Sequence, residues 1–454
     1  MKHIQSLSSL AKRLVLLVAG VGVLSVAKAQ TKPLSLKEAL QYALKNKAVA
    51  VKARLDEENS QNKIDEAKSQ ALPQINANGG LTYNPILQQS ALPGEIVGQP
   101  GKTLLVAFGQ KWNSTASVSL SQTLFDKSVF TALKASKTTQ QYYQLMAGLT
   151  NEQVIEQVAT QYYQVLVQRQ KLVVTDSNIA TTTRIKNIIE GQYKNGLAKK
   201  IDLDRTTVNL SNLQAQHQQL INAVELQENT LKFYMGLPIE TPIEIPASAL
   251  ENIRPQLSLD DHVPDVKNLS DYKVLKKQEE LLQLQKEATR AAYYPSLSLS
   301  GNYGYQGISN SFPTGKNANW FDYASVGLNL KVPLFNGFST RSKVRQNEID
   351  IKKLHEDIKN TELSLNLTYQ NARTQLRNSI ITLNSQKDNV GLAEEVYRNT
   401  QNNYNQGLAP LTDMLDAENS LTTAQNNYST ALLDYRLAEI QLIKAQGNLK
   451  SLLN

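Results

Sequence analysis

The stretch Tyr404-Asn405-Gln406-Gly407-Leu408-Ala409-Pro410-Leu411-Thr412-Asp413-Met414-Leu415-Asp416 decides how this chain folds. It has an echo in the first half of the chain, Tyr193-Lys194-Asn195-Gly196-Leu197-Ala198-Lys199-Lys200-Ile201-Asp202-Leu203-Asp204. Each copy is polar, bears a glycine and lies between two long helical patterns, so each reads as a hairpin where one helix ends and the next begins. Asp413 and Asp416 stand three residues apart in the first turn of the new helix and share one face. Two readings are open for them: carboxylates satisfying the positive end of a helix, or a ring of carboxylates at the mouth of a tube.

Working outward, no composition break divides the 454 residues into unrelated parts; internal similarity divides them instead. Residues 1–29 read as a secretory signal, with Lys2, Lys12 and Arg13 at the start, an apolar run from Leu14 to Val26, and Ala27-Lys28-Ala29 as the cleavage site before Gln30. Its removal takes away four basic residues and no acid, so the formal charge falls from +8 to +4. An exported, mildly basic chain without a basic cluster is a poor fit to nucleic acid. With no cysteine there are no disulfides, thiolate metal sites or lipid-modified cysteine. No apolar run after the signal approaches 20 residues, so a membrane-spanning form has to be a β-barrel.

Leu34-Ser35-Leu36-Lys37-Glu38 opens a helical pattern that runs to Leu72 and stops at Pro73, and Leu257-Ser258-Leu259-Asp260-Asp261 opens a matching one that stops at Pro295. Beyond each proline the period becomes two. Ile75, Ala77, Leu81 and Tyr83, then Val118, Leu120 and Leu124, alternate with small polar residues. Leu297, Leu299, Tyr303 and Tyr305, then Val326, Leu328, Leu330 and Val332, repeat the pattern. Four strands per chain are expected, each with a lipid face and a wet face, and with Tyr83, Trp112, Tyr303, Tyr305 and Trp320 as an interfacial belt. The connections 86–111 and 307–319 read as polar outward loops.

After Leu124-Phe125-Asp126 and Leu334-Phe335-Asn336 a long helix is expected in each copy, roughly 107 Å at 1.5 Å per residue. Seams at coiled-coil spacing run through Ile155, Val158, Tyr162, Val165, Leu172 and Ile179, and through Leu365, Tyr369, Ala372, Leu376, Leu383 and Val390. The return helices carry Leu203, Leu210, Leu213, His217, Leu220, Val224 and Leu231, and Met414, Ala417, Leu421, Ala424, Tyr428, Ala431, Tyr435, Ala438, Leu442 and Ala445. His217 aligns with Tyr428 and reads as a packed seam residue. The repeats are placed at 30–238 and 257–454, joined by a connector at 239–256. Four strands cannot close a barrel, so they must be pooled with those of other chains. Eight strands leave little room inside and twelve leave a passage, which favours three chains.

The double repeat, the proline-to-strand boundaries, the Leu-Phe-Asp/Asn phrases, the paired Gly-Leu-Ala turns and Asp413-Met414-Leu415-Asp416 together resemble the TolC-like outer-membrane exit-duct family. The resemblance implies a mainly α, internally duplicated homotrimer, with a 12-stranded β-barrel in the outer membrane of a Gram-negative bacterium continued by an α-helical barrel in the periplasm. It implies a passive conduit for a tripartite efflux pump or type I secretion, opened by a periplasmic adaptor and an inner-membrane pump. By the same resemblance Asp413 and Asp416 line the periplasmic constriction, Asp202 and Tyr404 hold the tips closed, and Gly196, Leu197, Gly407 and Leu408 form adaptor-docking grooves. At Ala409 the chain departs from the family's best-known member, which carries an arginine there. Lys199 and Lys200 are the expected substitutes, pairing with Asp413 or Asp416 of a neighbouring helix. No catalytic residue, metal site or cofactor is expected: the four histidines form no ligand pair and no phosphate-binding glycine loop appears. The competing reading is a structural or adhesive coiled-coil protein of the cell surface, which leaves the paired strands unexplained.

Overall fold

The computed structural model describes residues 33–98, 100–245 and 264–453. The expected signal at 1–29, the opening of the second repeat at Leu257 and much of the connector at 239–256 lie outside the described residues.

Helix α1 (Leu36–Asn46) starts where its sequence says it should. Ser35 caps it reciprocally with Glu38, the Glu38 amide donating to Ser35 Oγ at 3.2 Å and the Ser35 amide to Glu38 Oε2 at 3.0 Å. The expected single helix to Leu72 is broken at Lys47, which is extended at φ −64°, ψ 126°, and resumes as α2 (Ala48–Ser69). The reason lies in a later element. The Lys47 ammonium sits 3.6 Å from the centre of the Phe233 ring and donates to the Phe233 carbonyl at 2.7 Å. Sequence periodicity cannot register a bend imposed by a neighbour so distant in the chain.

Strands β1 (Gln74–Tyr83), β4 (Trp112–Phe125), β5 (Ser296–Ser309) and β6 (Asn319–Lys331) form one antiparallel sheet in the order β1-β4-β5-β6. The register places Ile75, Leu120, Gly301 and Val326 in one row and Asn76, Ser119, Asn302 and Ser325 in the next. Alternating residues therefore give one apolar and one polar face, as the period of two requires. At the loop end Tyr83 lies 4.6 Å from Trp112, and Tyr305 stacks on Trp320 at 5.2 Å, assembling the aromatic belt. The loop expected at 86–111 holds a second hairpin, β2 (Gln89–Pro93) with β3 (Thr103–Ala107). Leu104, Leu105 and Val106 supply strand-forming residues there, and Gly98 and Gly101 take the positive φ that the turn demands.

Asp126 caps α3 (Lys127–Lys194) by accepting from the Ser128 amide at 2.7 Å. In the second copy Gly337 and Phe338 take positive φ before α6 (Ser339–Asn405), so the two Leu-Phe phrases end differently. The return helices are α4 (Lys200–Met235) and α7 (Leu411–Ala445), and α5 (Ser270–Ala291) is the counterpart of α2. One apolar cluster joins α1, α3 and the end of α4 through Leu40, Val158, Tyr162, Val165, Leu231 and Met235. A second zips α6 to α7 through Tyr369, Leu376, Leu383, Leu432, Tyr435 and Leu442. Along α3 the expected seam is buried at Ile155, Val158, Tyr162 and Val165 but only half-buried at Leu172 and Ile179. The other seams have half-buried members too, Leu365 and Val390 on α6, Leu203, His217 and Leu220 on α4, and Leu421, Ala424 and Tyr428 on α7. Thr175, Asn178 and Thr182 take the buried positions beside Leu172 and Ile179.

Candidate functional site

The two turns are built alike. In the first, the Leu197 amide donates to Gln192 O at 2.8 Å and the Gly196 amide to Tyr193 O at 3.0 Å; in the second, Leu408 reaches Asn403 O at 2.8 Å and Gly407 reaches Tyr404 O at 2.9 Å. This pair of bonds closes a helix only if the residue after the cap is left-handed, and Gly196 and Gly407 have φ of 74° and 75°. Each turn leaves one large apolar side chain in the open, Leu197 at 80% and Leu408 at 73% exposure.

Between the turns lies a small core of Ile185, Ile189, Leu411, Met414 and Leu415, with Ala198, Leu203, Tyr397 and Tyr404 against it. Met414 and Leu415 face this core, which turns Asp413 and Asp416 outward, and both are exposed. The cap position of α7 is Pro410, which makes no side-chain cap bond, and Asp413 lies in the first turn, where its charge faces the positive end of the helix. Among the described residues Asp413 accepts from the Thr412 hydroxyl, at 3.4 Å.

Asp202 lies in the first turn of α4. Burial raises the Tyr404 pKa and the negative charge of Asp202, within electrostatic reach, raises it further. No hydrogen bond joins them among the described residues of the single chain. Lys199 and Lys200 are exposed and form no ion pair within it. His217 sits 2.8 Å from Asp176 on α3, a pairing across the seam consistent with a packed residue. Among the described residues no group of three or more His, Cys, Asp or Glu could hold a metal ion.

Comparison with known proteins extends these observations. The model of the outer membrane efflux protein family matches residues 39–237 and 271–448. The chain belongs to that family. It is 24% identical over 391 residues to the outer membrane protein TolC of Vibrio cholerae, covering 85% of this chain and 84% of the relative. It is 21% identical over 337 residues to the alkaline protease secretion protein AprF of Pseudomonas aeruginosa, covering 72% of this chain and 68% of the relative. The outer membrane protein VceC of Vibrio cholerae has the same fold, with a TM-score of 0.71 at 17% identity over 91% of this chain and 96% of that one. Membership makes the protein an outer-membrane exit duct of a Gram-negative bacterium, with its helical part in the periplasm; it is a conduit and not an enzyme. The surface coiled-coil reading is set aside.

Two features of this efflux protein escape the sequence reading. Asp413 and Asp416 begin a stripe that continues through Ser420, Thr423, Asn427, Thr430 and Asp434, all exposed and spaced alternately by three and four. That spacing is one helix face, so the acidic pair heads a continuous wet, mostly uncharged surface along α7. The signal was present as a polar counterpart to the apolar seam. The second feature is Glu418, two residues beyond Asp416 and therefore on the opposite flank, with only 4% exposure. Its sequence neighbourhood gives no sign of burial.

Proposed function

We propose that three copies of this chain form a passive exit duct whose periplasmic mouth is the α3–α4 and α6–α7 tips. The observation that carries this reading is the stripe from Asp413 to Asp434: a helix face kept polar over its length suits the wall of a wet passage. Asp413 and Asp416 from three chains would place six carboxylates at its narrow end, where they attract cations. Asp202 with Tyr404 is the closing pair, and Lys199 and Lys200 take over from the missing arginine at Ala409 by reaching the acids of a neighbouring protomer. Gly196, Leu197, Gly407 and Leu408, exposed at the turns, are the docking surface for a periplasmic adaptor that links the duct to an inner-membrane pump. Residues 30–238 and 257–454 act as the two structural repeats about the joint at 239–256.

Assembly is supported by the open edges of the sheet at β1 and β6, with which the strands of neighbouring chains can pair. The test is ion selectivity of purified protein in planar bilayers, wild type beside Asp413→Ala with Asp416→Ala. Cation preference that weakens in the double variant is expected; an unchanged preference would return both aspartates to the helix-end role.

A further inference from the structure

Exposure in a single protomer can be lost on assembly, but burial cannot be undone by it. The polar contacts buried within one chain therefore carry most weight. Between α3 and α7, just above the apolar core of the tip, lies such a contact. The Thr182 hydroxyl donates to Glu418 Oε1 at 2.6 Å, and the Asn178 amide donates to Thr422 Oγ1 at 2.8 Å. Thr182 has no exposed surface at all. Glu418 Oε2 is buried and has no hydrogen-bond partner among the described residues.

The surrounding charges do not neutralise this carboxyl. Arg184 of α3 and Glu418 both act on the Tyr397 hydroxyl of α6, and no ion pair joins Arg184 to Glu418 among the described residues. From α4, Asp204 and Arg205 line a groove that reaches Asp416 and Asn419. On its own helix Asp416 points away. A carboxylate with one bonded and one orphaned buried oxygen is costly; in the neutral acid the proton sits on Oε1 and is donated to Thr182 Oγ1, which reverses that bond and leaves Oε2 a carbonyl oxygen whose lack of a partner costs less. Burial accordingly pushes the carboxyl above its ordinary range, with the Thr182 bond only partly offsetting it.

We propose that Glu418 enters this contact as the neutral acid and serves as a proton-held clasp between the repeats, so that releasing its proton to water loosens α7 from α3. It is a positioning residue acting on the acidic pair through α7, and its effect on opening rests on the reading of the tips as the mouth. The sign follows from a folded value above the free one: docking is complete at acid pH and weakens as pH rises through the raised value.

The experiment uses the full chain and two readouts. Glu418→Gln preserves shape and neutrality but cannot ionise. Wild-type conductance is expected to rise with pH, and Glu418→Gln to lose that dependence and stay at the acid level. In infrared difference spectra, wild type minus Glu418→Gln, the carbonyl stretch of a protonated carboxyl is expected on the acid side of the raised value, where ordinary carboxyls are already ionised, and is lost as pH rises through it. Absence of that band overturns the proposal, as does a wild-type conductance that changes with pH beside a Glu418→Gln conductance that changes equally. If the tips are not the mouth, conductance fails while the infrared band persists. The clasp is then read from Asn178→Cys with Thr422→Cys, the chain having no other cysteine. Cross-linking by a short thiol reagent, relative to the same pair in Glu418→Gln, must fall as pH rises; a flat ratio refutes the clasp.

Discussion

Three glycines offer a controlled comparison, because Gly196, Gly236 and Gly407 have nearly the same φ, 74°, 73° and 75°, but different surroundings. Replacing any of them with alanine forces an L-residue into the left-handed region, at about 1–2 kcal/mol. At Gly196 and Gly407 nothing stands within 4 Å of the new Cβ, so that strain is the whole cost. At Gly236 the Cβ would lie 2.9 Å from the Asn46 carbonyl oxygen and 3.1 Å from Lys47 Cα. Those are backbone atoms at the bend between α1 and α2, which cannot rotate aside, so a further overpacking cost of about 1–3 kcal/mol is added. Thermal unfolding of the detergent-extracted protein, followed by circular dichroism, should rank Gly236→Ala well below the two tip variants, which stay close to wild type. Export in cells supplies the functional arm: with the fold intact, loss of export in Gly196→Ala or Gly407→Ala reports on docking at the tips. Equal stability of all three variants would refute the packing argument. Full export by both tip variants would remove these glycines from the docking surface.

Glu279 is 7% exposed; burial pushes its carboxyl up, but hydrogen bonds from Lys276 and His355, the latter at 2.8 Å, outweigh that and hold the value below the ordinary range. Its contribution is therefore present above the unfolded carboxylate value and lost as pH falls through the lower folded one. Glu279→Gln should cost about 1–3 kcal/mol at neutral pH and little in acid, read from melting curves at both; an equal loss at the two pH values would contradict it. Lys199→Ala with Lys200→Ala should raise the conductance of the isolated channel by removing the closing pairs, and an unchanged conductance would take both lysines out of the closing network. Single cysteines placed in β1 and β6 should cross-link neighbouring protomers in a ladder that ends at three; a ladder ending at two or four would overturn the trimer.

What the sequence discloses is what repeats with a short period. The strand faces, the helix seams and the paired turns were legible because each depends on residues two, three or four positions apart. The break at Lys47 was not, since it answers to Phe233 in another helix. The β2–β3 hairpin was hidden because its strands are only five residues each, too short for alternation to stand out in a glycine-rich loop. At the site, Asp413, Asp416 and the glycines announced themselves by local pattern. Glu418 did not, because a glutamate on a helix reads as solvated unless the partner helix is known to present Thr182.

The distribution of polar groups along α7 links this packing to what the duct must do. At its far end α7 is held to α3 by the cluster containing Ile440, backed by Gln441 and Lys444 on Glu156 at 3.0 and 3.1 Å. At its tip the hold is the small core around Met414 and Ile189. Between Val167 and Ile185 the buried positions of α3 are Thr175, Asn178 and Thr182 rather than aliphatic residues. Separating aliphatic surfaces exposes them to water at about 25 cal/mol per Å², whereas hydroxyl and amide groups exchange one hydrogen bond for another at small net cost. Once Glu418 has lost its proton, the polar stretch is the part of the contact between the repeats that yields most readily. A helix fixed at one end, and held at its tip by a compact apolar core and that clasp, would swing outward once both part, carrying the acidic pair with it.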